Sequence, residues 1–337
     1  MKKLNREWGI LRFCVNFFLV FFLFASCATS PKTDPALPEG EPNFSVLPPG
    51  ASAYLWADVE RARPLLEALS FEGMSGKDAS QILDRTGMAL LAVYSESAEQ
   101  RFFLAGWGNY PNLRAGASMS FSRDWKKVKS ETGNRYWHSE GLKLGIALGP
   151  KLAYVSDGDP FALGSGTDPS PPGFGEFRST SVLSGWLTNP KEAINDYISA
   201  IGLPIEIPAE EFFFGAVRLP AGGDTAAGEF PDADQNGGLW ELVMRIKTPS
   251  PSHARSFLSL FSIVRLFVAP LDSFTGSVSD TGAGGESTSS MNTSDIAALL
   301  FANVPVQEDE YLTLHTRALR EERIALLFKM FQLYSNQ

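Results

Sequence analysis

Cysteine is almost missing from this chain: Cys14 and Cys27 are the only two in 337 residues. Both sit near the amino end, so a disulfide framework for the rest of the protein is excluded and stability must come from an apolar core. Histidine is nearly as scarce. His138, His253 and His315 fall in separate segments, and none has a second His or a Cys three to five residues away, which excludes a local zinc motif. No G-x-S-x-G, S-x-x-K or H-E-x-x-H string occurs, so the usual nucleophile elbow and zinc-protease helix are absent as well. The glycine-rich Gly282-Ala283-Gly284-Gly285-Glu286-Ser287-Thr288 has no lysine to reach a phosphate and reads as a loop. Positive charge is also short, with a formal net charge of −9. A field of that sign repels phosphate backbones, so no nucleic-acid partner is expected.

What is there begins with a charged and then apolar amino end. Lys2, Lys3, Arg6 and Arg12 precede an apolar run from Phe13 to Phe24 broken only by Asn16. A twelve-residue helix rises about 18 Å, short of the roughly 30 Å hydrocarbon slab, so the run reads as a signal peptide over 1–26 and not as a spanning anchor. It ends in Leu23-Phe24-Ala25-Ser26-Cys27. Small residues before a cysteine suit a narrow peptidase site, and the thiol is a nucleophile for diacylglyceryl transfer. This resembles the lipobox of bacterial lipoproteins in its relaxed, spirochaete-like form: Phe24 stands where Leu is usual, and Ser26 replaces the common Gly or Ala. The resemblance implies cleavage before Cys27, lipidation of Cys27 and attachment to the membrane through that N-terminal lipid. Ala28 in place of Asp implies transfer to the outer membrane, on its periplasmic face or at the cell surface. A plain signal peptide cut within Ala25-Ser26-Cys27-Ala28 is the alternative. Cleavage would remove four basic residues and one acidic one, deepening the acid excess. That disfavours electrostatic docking on anionic lipid and leaves the acyl chains as the attachment.

Composition divides the remainder. Residues 27–45, rich in Pro, Ser and Thr, are expected to be a flexible tether. Residues 157–180, with Gly164-Ser165-Gly166 and Pro171-Pro172-Gly173, read as a linker, and 272–295 as a disordered loop. The two stretches between, 46–156 and 181–337, follow similar patterns.

In the first of them, strands are expected at Ala53 to Ala57, Ala89 to Tyr94, Arg101 to Trp107, about Tyr136, at Leu142 to Leu148 and at Leu152 to Val155. Helices are expected around Leu65 to Leu69, near Ile82 and near Leu113. The second opens with a strand from Val182 to Leu187. Asn189-Pro190-Lys191-Glu192 then has a cap, a proline and an acid in the order a helix start requires. Strands at Glu211 to Leu219 and Leu239 to Lys247, a helix from Ser250 to Val268, strands at Leu299 to Val304 and Tyr311 to Thr316, and a helix from Ala318 to Tyr334 complete it. Trp56 and Trp186 align at an offset of 130 residues. The expected fold is α+β, two similar halves with a mostly antiparallel sheet and helices packed on one face. Leu47-Pro48 to Tyr54 is similar to the Leu-Pro-x-x-x-x-x-Tyr opening of a loose class of exported bacterial proteins of unknown function.

Three other features bear on chemistry. Asp232-Ala233-Asp234-Gln235-Asn236-Gly237 imitates the start of a calcium loop, but the twelfth position is Val243, so an acidic hairpin tip is the better reading and no metal is expected. The helix from Ser250 is apolar on most sides; it fills a core or lines an acyl cavity. Tryptophans such as Trp107, Trp125 and Trp137 complete a core or stack on a partner. The sequence therefore implies a non-enzymatic envelope lipoprotein acting by binding or as a structural component, with no catalytic residues and no cofactor. Its expected partners are the membrane and other envelope proteins. A carrier or sensor of a hydrophobic ligand, and a hydrolase with an unfamiliar site, are the alternatives.

Overall fold

Alternating burial along short strands governs the architecture. The computed structural model describes residues 42–68, 80, 82–96, 99–162, 166–200, 206–219, 238–262, 303–321 and 323–324. Cys27, the signal segment, the Asp232–Gly237 turn and the 272–295 loop lie outside the described residues. The chain divides into two units, one of Met1–Trp186 with Phe331–Gln337, the other of Leu187–Met330.

The first unit holds strands β1 (Ala53–Asp58), β2 (Thr86–Glu96), β3 (Glu99–Gly108), β4 (Lys126–Lys129), β5 (Arg135–Ser139), β6 (Leu144–Leu148), β7 (Leu152–Ser156) and β8 (Leu183–Leu187). Its helices are α1 (Arg63–Ala68), α2 (Asn112–Phe121) and α3 (Phe174–Ser179). The strands lie in the order β8-β1-β2-β3-β7-β6-β5-β4. From β1 to β4 every neighbouring pair is antiparallel.

The period of two sorts side chains to opposite faces. Phe102, Leu104, Val155, Ile146 and Leu144 share one face, where Ala115 and Met119 of α2 complete the core with Ile82 and Trp125. The other face carries Tyr54, Leu90, Ala92, Phe103 and Ala105, linked by the register Tyr54 to Ala92 and Ala92 to Phe103. Over it lie Phe44 and α3, whose Phe174 and Phe177 are buried.

The second unit contains α4 (Pro190–Ala200), β9 (Glu211–Arg218), β10 (Trp240–Lys247), a helix α5 over 251–262, β11 (Val306–Glu308) and β12 (Tyr311–His315). Its strands run β9-β10-β12-β11, again antiparallel. Ile246, Leu312 and Leu314 form the core face, and Ala254, Phe257 and Phe261 of α5 fill it with Ile207 and Ala209. Ser250 caps α5: its Oγ accepts from His253 N at 3.4 Å, and Pro251 opens the helix.

The expected α+β fold with mostly antiparallel pairing is therefore found. In chain order the strand–helix–strand–strand pattern recurs as β1-α1-β2-β3 and β8-α4-β9-β10. Several boundaries differ. The division between units falls at Trp186, later than the expected 157–180 linker, because Phe174 and Phe177 hold that stretch in the first unit. Phe44, within the stretch expected to be a tether, is 1 % exposed and packed in the first unit; residues 27–41 lie outside the described residues. Strand β4 was not foreseen. The strand expected at Leu299 to Val304 is absent at residues 303–304 and appears instead at Val306–Glu308; 299–302 lie outside the described residues. The last helix does not begin at Ala318, since Leu319 is held in a bridge to Trp240; helix starts at Glu321.

Candidate functional site

The region where the chain enters the fold is the most elaborately built part of the first unit. Asn43 accepts from Ser45 N at 2.9 Å, which starts the 3-10 turn Phe44–Val46 and drives the Phe44 ring inward. There it meets Trp186 edge-on at a centroid distance of 4.8 Å and Phe174 at 5.7 Å. Trp186 in turn stacks on Tyr54 at 4.8 Å. Rings of this size each remove much apolar surface from water and gain further from edge and offset contacts.

The Leu-Pro-x-x-x-x-x-Tyr spacing acquires a physical meaning here. The Pro48 carbonyl accepts from Tyr54 Oη at 3.3 Å and from Tyr94 Oη at 2.6 Å, and Tyr54 Oη accepts from Ala51 N at 3.3 Å. Proline has no amide of its own, and its carbonyl is paid by two phenols. Burial pushes both phenols above the usual tyrosine range, and for Tyr94 the Tyr54 phenol adds to it.

Beside Tyr94, Arg101 Nε lies 3.5 Å from Asp157 Oδ2. Burial raises the Asp157 carboxyl above its ordinary range, outweighing the Arg101 charge that lowers it. The hollow among Tyr94, Arg101, Phe103, Ser156, Asp157 and Asp159 has room for little more than a water molecule.

The three histidines lie on three different elements, β5, α5 and β12. His253 Nδ1 is 2.7 Å from Ser250 Oγ, and His315 Nδ1 is 3.1 Å from Glu241 Oε1. That carboxylate hydrogen bond raises the His315 imidazole above its ordinary value against the opposing effect of burial. His138 Nδ1 is buried without a hydrogen-bond partner. Among the described residues no three His, Cys, Asp or Glu side chains converge as a metal site.

The tryptophans divide. Trp56, Trp125, Trp186 and Trp240 are buried, while Trp107 and Trp137 are half-buried. The apolar helix that could have lined a cavity turns Ala254, Phe257 and Phe261 into the second unit's core. Sequence reasoning missed Phe44 and Phe174 as members of the entrance cluster; the only local signal was the Pro48 to Tyr54 spacing. No helix among the described residues is long and apolar enough to cross a membrane.

These features define an α+β antiparallel-sheet protein whose amino-terminal approach is locked to the sheet by aromatic packing. Residues 40–160 match the family model described as outer membrane-associated lipoprotein TP0453. That stretch begins just before the entrance cluster and ends after β7. The match supports a lipoprotein, and the family's description agrees with the outer-membrane location expected from the sequence. Among solved structures, crystal form IV of TP0453 is similar with 18 % identity and a TM-score of 0.52, covering 86 % of this chain and 97 % of that one. Crystal form III gives 17 % identity and 0.52, covering 87 % and 100 %. Crystal form I gives 16 % and 0.50, covering 88 % and 100 %. At such identities the likeness is one of fold. A comparison with curated proteins finds no match.

Proposed function

We propose that this chain is an outer-membrane lipoprotein, held by acyl chains on Cys27 and acting as a binding or structural component of the envelope without catalysing a reaction. The observation that carries the reading is the match of residues 40–160 to the outer membrane-associated lipoprotein family. The Leu23-Phe24-Ala25-Ser26-Cys27 stretch supports it by supplying a processing site and a thiol upstream of the matched region. Several acyl chains on one residue make release slow, since each buried methylene contributes about 0.8 kcal/mol. The membrane is then the first partner and other envelope proteins the second. Dispersed histidines and a core-filling α5 favour binding at surfaces over chemistry in a pocket.

The test is metabolic labelling with a fatty acid in the native host. The chain should take up label, and Cys27→Ala should abolish it. Uptake unchanged by that substitution would refute the anchor. Crosslinking in living cells then identifies the envelope partner; recovery of only uncrosslinked chain would argue against the binding role.

A further inference from the structure

β4 is the last strand in the order, so among the described residues one side of its backbone has no strand neighbour. The register fixes which groups face that side. Ser130 N donates to the Asn134 carbonyl at 2.8 Å and closes the β4–β5 hairpin. Antiparallel pairs alternate between bonded and non-bonded. Lys129 with Arg135 is therefore a non-bonded pair, Val128 with Tyr136 a bonded one, and Lys127 with Trp137 non-bonded again. The amides and carbonyls of Lys127 and Lys129 thus point away from β5, as a short row of donors and acceptors that a further strand would complete.

The side chains along this row share one sign. Trp137 opposes Ile146, a member of the core beneath α2, which puts Trp137 on the face that α2 covers. Lys127 opposes Trp137, and alternation brings Lys129 and Arg135 to the same face. All three cations are exposed, and none has an ion-pair partner among the described residues. On the opposite face Lys126 pairs with Glu140 at 2.9 Å, and Val128 is half-buried. α2 packs near β4 and ends in Phe121, which is 90 % exposed.

Lysine on an edge keeps stray strands from adding, and that accounts for a cation on β4 itself. It does not account for Arg135, which belongs to the inner strand β5 and opposes Lys129 directly; like charges so placed destabilise the pair. The same three charges decide what the edge admits. A second β4 is repelled, and an apolar strand would strip water from the ammonium groups with nothing in return. A strand that brings a carboxylate at every second position relieves the repulsion and completes the backbone row at once.

We propose that β4 receives an extended acidic segment of another envelope protein, added as a further strand with alternate carboxylates against Lys127, Lys129 and Arg135. The proposal rests on the binding role above and supplies the chemistry of the partner. Main-chain bonds to Lys127 and Lys129 give such a complex its affinity, and the alternate side chains give it specificity. The partner's intervening residues fall on the face of Val128, and Phe121 offers an aromatic contact near the edge. The formal net charge of −9 does not forbid an acidic partner, because at physiological salt a charge is felt over about 8 Å and the local sign decides.

The probe is a blocked, fluorescently labelled peptide of about seven residues, one strand in length, in which glutamate alternates with valine. The full chain, purified in non-ionic detergent, is its receptor. Anisotropy should show saturable binding that weakens as salt rises, and a peptide with lysine in place of glutamate should not bind. The triple variant Lys127→Gln, Lys129→Gln, Arg135→Gln should weaken binding on the order of tenfold, about twofold per exposed ion pair. Arg255→Gln, which removes an exposed cation of α5, should leave binding unchanged, and Phe121→Ser should weaken it by a smaller factor than the triple variant. Only alternate amides of an added strand face its neighbour, so N-methylation of one alternate set should abolish binding and of the other set spare it. Loss from both sets, or from neither, overturns strand addition. Binding untouched by the triple variant overturns the edge. Salt-sensitive self-association that the triple variant removes would give the edge to a second copy, whose β11–β12 hairpin carries Glu308, Asp309 and Glu310, and would overturn a separate partner. In living cells, crosslinks to an envelope protein should be lost in the triple variant. Crosslinks that survive it overturn this edge and leave the binding role standing.

Discussion

Removing the Phe44 ring tests the packed amino-terminal approach most directly. The side chain is 1 % exposed and lies 4.8 Å from the Trp186 ring and 5.7 Å from Phe174. Phe→Ala at a buried site costs about 3–5 kcal/mol in transfer free energy and cavity. Two ring contacts at about 0.5–1.5 kcal/mol each fall within that loss. Set against a total stability of about 5–15 kcal/mol, the change is severe. Urea denaturation of residues 28–337, followed by tryptophan emission, is the assay. With a slope of about 3 kcal/mol per molar, the Phe44→Ala midpoint should fall by about 1–1.7 M with the slope unchanged. Trp186 should report a more polar environment even before unfolding. A double-mutant cycle with Phe174→Ala should show coupling of about 0.5 kcal/mol or more, since the rings touch. A loss under about 1 kcal/mol with unaltered emission would mean that Phe44 belongs to a loose tether, and the entrance cluster would have no energetic standing.

The remaining predictions concern glycine and pH. A Cβ at Gly145 would stand 1.7 Å from the Gly158 carbonyl oxygen and 2.9 Å from Pro160 Cδ, so Gly145→Ala should destabilise by about 3 kcal/mol or more. At Gly116, inside α2, nothing lies within 4 Å, and Gly116→Ala should instead stabilise by about 1 kcal/mol; calorimetric melting of both variants checks the opposite signs. His315 has its pKa raised by Glu241. Its contribution to stability is therefore complete below the ordinary value of about 6.5 and is lost as pH rises through the higher folded value. His315→Gln should flatten the stability profile above neutral on the same titration of urea midpoints, and an unchanged profile would show that the pair is idle.

How much of this was legible in the sequence depended on whether burial was locally announced. β1, β2 and β3 were readable because β-prone residues such as Tyr54, Trp56, Leu90 and Phe103 cluster between polar turns. The start of α4 was readable from Asn189-Pro190, which needs no tertiary information. β4 was not, because Lys126-Lys127-Val128-Lys129 lacks an apolar face; pairing with β5 makes it a strand. Phe44 and Phe174 each sit in proline-rich surroundings that suggest open chain, yet a single large ring with a distant partner outweighs several solvated neighbours. Leu319 failed as a helical residue for a similar reason, since backbone bonds to Trp240 at 2.8 and 2.7 Å hold it extended. The clustering of Lys127, Lys129 and Arg135 on one face was hidden for a different reason: a net charge averages over the surface, and only the register places them together.

The turn at Phe44 also has a mechanical meaning. A force applied to the chain ahead of Phe44 is delivered through that ring to Trp186, and through Trp186 to Tyr54. If Cys27 carries the proposed lipid, a membrane that drags on it pulls on the first unit's sheet through these rings.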